Sequence, residues 1–215
     1  MYRLRVRFKR GKEIKFISHL DLIRLWQRAL HRARLPLAYS KGFSPHPRIS
    51  LAMPLAIGVT SEAELADIYL DKQVSPHFFS AALSQQLPPG IEIVQVYPIP
   101  PHQPSLQSQT SFAEYAVTIA TNKETKEIEE NIAGLLSTEH LPWQHQRDTG
   151  MRSYDLRALI SDLRLIDHPH PYCTVGMRLR CDNSGSGRPE QVTLALGFSE
   201  QPQSIHRTKL ILKTV

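Results

Sequence analysis

Cysteine is scarce in this sequence: Cys173 and Cys181 are the two among 215 residues. Two thiols cannot supply a Cys-x3-Cys-x2-Cys set, so the chain alone lacks that means of holding an iron–sulfur cluster. They also form no metal-ligand spacing, and their rarity fits a reduced, cytoplasmic protein. No apolar run approaches the ~18 residues that a membrane helix needs. The first residues, Tyr2 to Arg7, alternate like a strand and not like a secretory leader. A phosphate-binding glycine loop and a dinucleotide fingerprint are both missing, and Gly185-Ser186-Gly187 reads as a turn. His168 and His170 are separated by proline, which fits a surface loop better than a metal pair. The expectation is a chain with no cofactor and no metal of its own.

Acidic residues are also scarce, but only locally. Residues 1–50 hold thirteen Lys and Arg against Glu13 and Asp21, a balance of +11. Residues 51–150 balance at −8 and residues 151–215 at +3. Segregated charge builds a field that scattered charge does not. It attracts a nucleic acid or an acidic protein surface to the first segment. A solvated basic face without a specific partner is the plain alternative.

The apolar pattern predicts an α+β protein. Tyr2, Leu4, Val6 and Phe8 alternate with Arg3, Arg5, Arg7 and Lys9, a half-buried strand with one basic face. Ser18 caps a helix running to about Arg34, with Asp21 completing a capping-box relative. Leu22, Ile23, Trp26, Ala29, Leu30 and Ala33 form its apolar arc, and Arg24, Arg28, His31 and Arg32 its opposite face. Strands follow near 49–56 and 62–70, a helix over 76–87 and a strand over 91–97. That order is β-α-β-β-α-β, a ferredoxin-like unit. The second half predicts a strand at 112–120 and a helix capped by Asn122. Strands at 142–147 and 172–180 follow, around an insert at 151–166. A helix at 189–197 and a strand at 205–213 complete the set. The expected architecture is two tandem ferredoxin-like domains, 1–99 and 112–215, the second with an insertion. Residues 100–111, rich in proline, serine and glutamine, read as the linker.

The most unusual local feature is the stretch 36–48. Pro36 ends the helix, and Gly42, Pro45 and Pro47 make an ordered, non-repetitive loop. Lys41 and Arg48 suit phosphate, and Tyr39 and Phe43 suit a stacked base. Expected binding residues, for RNA or a protein partner, are therefore Arg3, Arg5, Arg7, Arg24, Arg28, Arg32, Tyr39, Lys41, Phe43, His46 and Arg48. His46 with Lys41 and Tyr39 makes a set for metal-independent RNA cleavage if these groups converge. His19 is a second candidate base or, equally, a satisfied core histidine. A run around Tyr154, with Arg152, Asp155 and Arg157, reads either as an ionic cluster or as a solvated helix start.

Several of these stretches carry a resemblance. Lys15-Phe16-Ile17-Ser18-His19-Leu20-Asp21-Leu22, with Arg24, Ala29 and Arg32, is similar to a bacterial family. So are Leu35 to Ile49 and the Pro54 to Gly58 segment. The family is the radical SAM-associated (radical SAM-linked) proteins of uncharacterised function. In the second half the likeness rests on Asp155-Leu156-Arg157, Gly187-Arg188-Pro189-Glu190 and Arg207-Thr208. Ala158 stands where the family often has proline. The resemblance implies partnership with a radical SAM enzyme in RNA or ribosome-linked modification, with the iron–sulfur cluster and S-adenosylmethionine held by that partner. Three functions remain open on these residues: an accessory RNA-binding or substrate-positioning partner of a radical SAM enzyme, a metal-independent endoribonuclease, and a protein-interaction module docking on that enzyme.

Overall fold

Leu4, Val6 and Phe8 lie on one face of the first strand and are all buried, which fixes the strand's phase. In the computed structural model, residues 1–100, 102–147, 150–182 and 184–213 are described, with the backbone alone at 146, 147 and 152. The chain divides into two compact units, 1–110 with the residues from 212 onward, and 111–211.

The first unit runs β1 (Tyr2–Arg10), α1 (His19–Arg32), β2 (Ile49–Leu51), β3 (Thr60–Leu70), α2 (Pro76–Ser84), β4 (Ile91–Pro98) and the short α3 (Leu106–Gln109). β1 pairs antiparallel with β3 and β4, and β2 pairs antiparallel with β3. The order is thus β2-β3-β1-β4. Its core joins Leu4, Val6 and Phe8 to Trp26 and Leu30 of α1, Ile68 of β3, and Phe79 and Leu83 of α2. Phe8 meets Trp26 edge-on, with ring centroids 4.8 Å apart, the arrangement that aromatic quadrupoles favour.

The apolar arc expected on α1 is buried at Leu22, Trp26, Ala29 and Leu30, and Ser18 caps the helix through the Asp21 N–H. The helix ends with Arg34 at φ 52°. The Arg34 N–H reaches the His31 carbonyl at 3.0 Å and the Leu35 N–H the Leu30 carbonyl at 3.5 Å. That is the Schellman ending, with arginine where glycine is usual.

The opposite face of β1 corrects one expectation. Arg3 and Arg5 are buried, not exposed beside Arg7. Arg5 Nε donates to Asp67 Oδ1 at 2.7 Å, and Arg3 Nε lies 2.9 Å from Asp67 Oδ2. Arg3 also donates to the carbonyls of Gln103 and Pro104, and Arg5 to Gln109 Oε1. Burial alone would lower the Arg5 pKa, but the hydrogen bond and charge of Asp67 outweigh it and the net shift is upward. Residues read from the sequence as the linker, 100–111, supply acceptors for both arginines. Leu106 is fully buried, and Gln107 Nε2 donates to the Leu51 carbonyl at 2.7 Å. A polar composition misled here because the segment satisfies buried cations with its own carbonyls.

Arg10, next but one after Phe8 on the apolar side of β1, is also buried. Its guanidinium donates to the carbonyls of Leu55, Ile14, Lys15 and Ile17, at 2.8 to 3.4 Å.

The second unit runs β5 (Thr110–Ala120), α4 (Thr125–Ser137), β6 (Pro142–Arg147), β7 (Gly150–Asp155), β8 (Ile160–Asp167), β9 (Tyr172–Asp182), β10 (Gly185–Ser186), α5 (Pro189–Ala195) and β11 (Ser204–Leu212). β9 pairs antiparallel with β5 and β8, and β11 lies on the other side of β5. Two details differ from the expected set. Glu124, not Asn122, stands at the start of α4 and makes no side-chain cap. Residues 142–147 pair with 150–155 in a separate ribbon, and 160–167 takes the sheet position instead. The buried Ile160 and Leu163 explain why β8 enters the sheet, while Pro142 and Gln144 stay exposed. The molecule is therefore α+β, with a β-α-β-β-α-β order in each unit once the ribbon and the two-residue β10 are set aside. No described helix is long and apolar enough to cross a membrane.

Candidate nucleic-acid interface

The exposed face of α1 carries Arg24, Arg28, His31 and Arg32 on successive turns. They meet different fates. Arg24 pairs with Asp21 at 3.2 Å. The Asp21 carboxyl is held below its ordinary range by hydrogen bonds from Ser18 and then Arg24. Arg32 donates to the Gln86 carbonyl at 2.6 Å and so ties α1 to the turn after α2. Arg28 makes no ion pair or side-chain hydrogen bond among the described residues.

The loop after α1 is a clasp. Its base is pinned to β3, because the Ala38 N–H donates to the Tyr69 carbonyl at 2.9 Å and the Tyr69 N–H to the Arg48 carbonyl at 3.1 Å. The two limbs close on each other: Arg48 N–H reaches the Ala38 carbonyl at 2.8 Å and Ser40 N–H the His46 carbonyl at 2.9 Å. The His46 N–H returns a bond to Ser40 Oγ at 3.0 Å. Residues 41–45 form the tip. Gly42 sits at φ 139°, a conformation that side chains rarely adopt. Pro45 and Pro47 stiffen the returning limb.

Lys41 and Phe43 at the tip are exposed, and Phe43, at 110%, contributes nothing to the core. Tyr39 is 42% exposed, and its hydroxyl lies 3.2 Å from His31 Nε2. This contact joins the clasp to the last turn of α1. The Arg48 guanidinium stacks on Tyr69 at 4.4 Å from the ring centroid, still open to solvent. The structure thus joins Tyr39, Lys41, Phe43, His46 and Arg48 in one clasp, tied to α1 through His31. His31, placed on the polar helix face by its spacing but not among the expected binding residues, joins this group through Tyr39.

His19 and His46 are not brought together. His19 opens α1, whereas His46 belongs to the clasp that touches His31. Twelve residues of helix separate those ends, roughly 18 Å at 1.5 Å per residue. The clasp holds His46 in one loop with Tyr39 and Lys41. His19 stands at the start of α1, and no contact links it to His46 among the described residues. No cluster of three His, Cys, Asp or Glu suited to a metal occurs among the described residues.

The run around Tyr154 is a local brace. Asp155 Oδ1 accepts the N–H groups of Leu141 and Arg157, both at 2.9 Å, and Asp155 Oδ2 lies 2.9 Å from His140 Nδ1. These bonds, His140 first and then the Leu141 amide, hold the Asp155 pKa at about 2. Arg157 donates to the carbonyls of Leu136 and Ile160. The Arg152 side chain, expected in the same cluster, lies outside the described residues. A cavity of about 550 Å³ beside this brace is lined by His140, Trp143, Tyr154 and Asp155 among others. The polar atoms of Asp155 already have partners there.

No curated protein matches the chain. Among solved structures it is similar to a chain of a Cbf5–Nop10–Gar1 complex, at 7% identity and a TM-score of 0.53, over 97% of this chain and 48% of that one. It is also similar to a chain of an archaeal box H/ACA sRNP Nop10–Cbf5 complex, at 8% identity and 0.47, over 96% and 46%. A chain of an H/ACA RNP bound to a substrate RNA containing 2′-deoxyuridine gives 7% and 0.48, over 97% and 47%. The chain spans about half the length of the solved chains it matches. At such identities the likeness concerns the fold alone. A family profile is matched over residues 3–189. The chain belongs to the family described as "Uncharacterized protein conserved in bacteria (DUF2344)".

Proposed function

We propose that this chain is an RNA-associated accessory protein whose binding face is the clasp at 38–48 with the exposed cations of α1. One observation carries the reading: Arg28 and Lys41 are exposed cations with no acidic partner among the described residues, on and beside a loop pinned at its base. Arg32 and Arg48 add charge to the same face, since neutral Gln86 leaves the Arg32 cation uncompensated. Opposed to these, Arg3 and Arg5 are spent on Asp67, and Arg24 on Asp21. An anion relieves the mutual repulsion of such a group, and a phosphate backbone supplies anions at regular spacing.

The fuller reading is a substrate-positioning partner of a radical SAM enzyme in the cytoplasm. It is supported by the resemblance of residues 15–22 and 35–49 to proteins associated with such enzymes. The iron–sulfur cluster and S-adenosylmethionine would belong to the partner. The matching strand orders, β2-β3-β1-β4 and β8-β9-β5-β11, support two ferredoxin-like domains in tandem, with 142–155 as the insertion of the second.

The test is RNA affinity as a function of salt. Four phosphate contacts on a single strand give a slope of log K against log salt of about −3. No binding to RNA at low salt would remove this reading and leave the basic face to a protein partner.

A further inference from the structure

We infer that the clasp takes unpaired RNA, with a base stacked on Phe43, and that it binds with little regard to sequence. The inference rests on the proposed RNA-associated role and names the form of RNA that role requires.

Phe43 is an aromatic ring with no packing partner, displayed at the tip of a closed loop. Base faces are hidden inside a duplex and are offered only by single strands, bulges and ends. A duplex reader works through phosphates and 2′-hydroxyls across a groove and has little use for such a ring. A reader of unpaired strands combines cations along the backbone with aromatic faces for the bases. The clasp has both within one short segment: Lys41 two residues before Phe43, and Tyr39 and Arg48 at its base.

Rigidity points the same way. The Ser40–His46 pair of hydrogen bonds, the bonds from the base to Tyr69, and two prolines hold the limbs before any ligand arrives. A ring carried on a preformed loop loses little entropy on stacking.

Sequence tolerance follows from what the clasp does not carry. Residues 38–48 contain no Asn, Gln, Asp or Glu. Those are the side chains that read base edges through paired donors and acceptors or accept from an exocyclic amine. The Ser40 hydroxyl already accepts the His46 N–H. Arg and Lys can also read guanine, but Arg48 already lies over Tyr69 and Lys41 is the phosphate contact of the proposed face. That leaves stacking for the base, and every base has a face to stack.

The experiment uses the full chain and a fluorescein-labelled ten-nucleotide RNA of mixed sequence, alone and annealed to its complement, in anisotropy titrations. The single strand is expected to bind about tenfold more tightly than the duplex. Phe43→Ala should lower single-strand affinity on the order of tenfold while leaving the salt slope and melting temperature as in the parent. Phe43→Trp should restore it. Replacing the mixed strand by oligouridine should change affinity by less than about tenfold. If RNA binds but Phe43→Ala has no effect, or duplex and single strand bind equally, this inference falls and the proposed role stands. Failure of both RNA forms to bind at low salt overturns the role itself and the inference with it.

Discussion

Replacing Asp67 by alanine should be among the most damaging single changes in the first unit. Its carboxylate is fully buried and stands against two buried guanidinium groups, with Arg5 Nε at 2.7 Å and Arg3 Nε at 2.9 Å. Removing it leaves two cations in a low-dielectric layer, with only neutral groups beside them: the carbonyls of Gln103 and Pro104, the Gln109 side chain and Tyr97. Breaking a buried pair in this way costs about 3–5 kcal/mol. A domain has only about 5–15 kcal/mol in total. The loss is read by urea unfolding followed through Trp26, which is fully buried in this unit. A Trp143→Phe background removes the signal of the second tryptophan. Arg5→Met completes a double-mutant cycle, because it removes one stranded charge. Its coupling with Asp67→Ala should be about 2–3 kcal/mol. A loss below about 1 kcal/mol for Asp67→Ala, or additivity of the two changes within about 0.5 kcal/mol, would refute the account of this layer as an ion network.

Three further outcomes are expected. Arg28→Ala with Lys41→Ala should change stability by about 0.5 kcal/mol or less and make the RNA salt slope shallower by about 1.4; calorimetry and titrations at several salt concentrations check both. Arg34→Gly should stabilise the chain by about 1 kcal/mol, since Arg34 holds the left-handed position of the Schellman ending; a lowered melting temperature would show that its side chain matters more than its backbone. Asp155 has a folded pKa of about 2 against roughly 3.9 when unfolded. The stability it contributes is therefore complete above about pH 4 and lost as pH falls through 2. The amide signals of Leu141 and Arg157, which donate to it, should titrate with a midpoint near 2 in NMR spectra, and a midpoint near 4 would show that those bonds do not form in solution.

Much of the fold was legible in the pattern of apolar residues. Leu4, Val6 and Phe8 marked β1, and the arc from Leu22 to Leu30 marked α1, because burial acts on periodicity directly. The tip of the clasp was legible as well, since Gly42, Pro45 and Pro47 punctuate the chain wherever they stand. What alternation cannot tell is whether the second face of a strand is later covered. Arg3, Arg5 and Arg7 look alike in sequence, yet a segment about a hundred residues away buries the first two and leaves the third in water. The ribbon at 142–155 was missed for a related reason. Short segments such as 142–147 and 160–167 both suit a strand, and only the partner, β9, decides which enters the sheet. Arg10 did carry a signal, a cation in the apolar phase of β1, but its four carbonyl acceptors come from two separate loops. His31 gained its partner in the same non-local way.

The cover over the ion layer also sets where the molecule can be cut. A fragment ending at residue 99 would contain every strand and both long helices of the first unit. It would nevertheless strip Arg3 and Arg5 of the carbonyls and amide that complete them. Any piece that keeps this layer intact must extend through Gln109. What looks like connecting thread between two bodies is a component of the first, and excision, fusion or domain exchange has to carry it along.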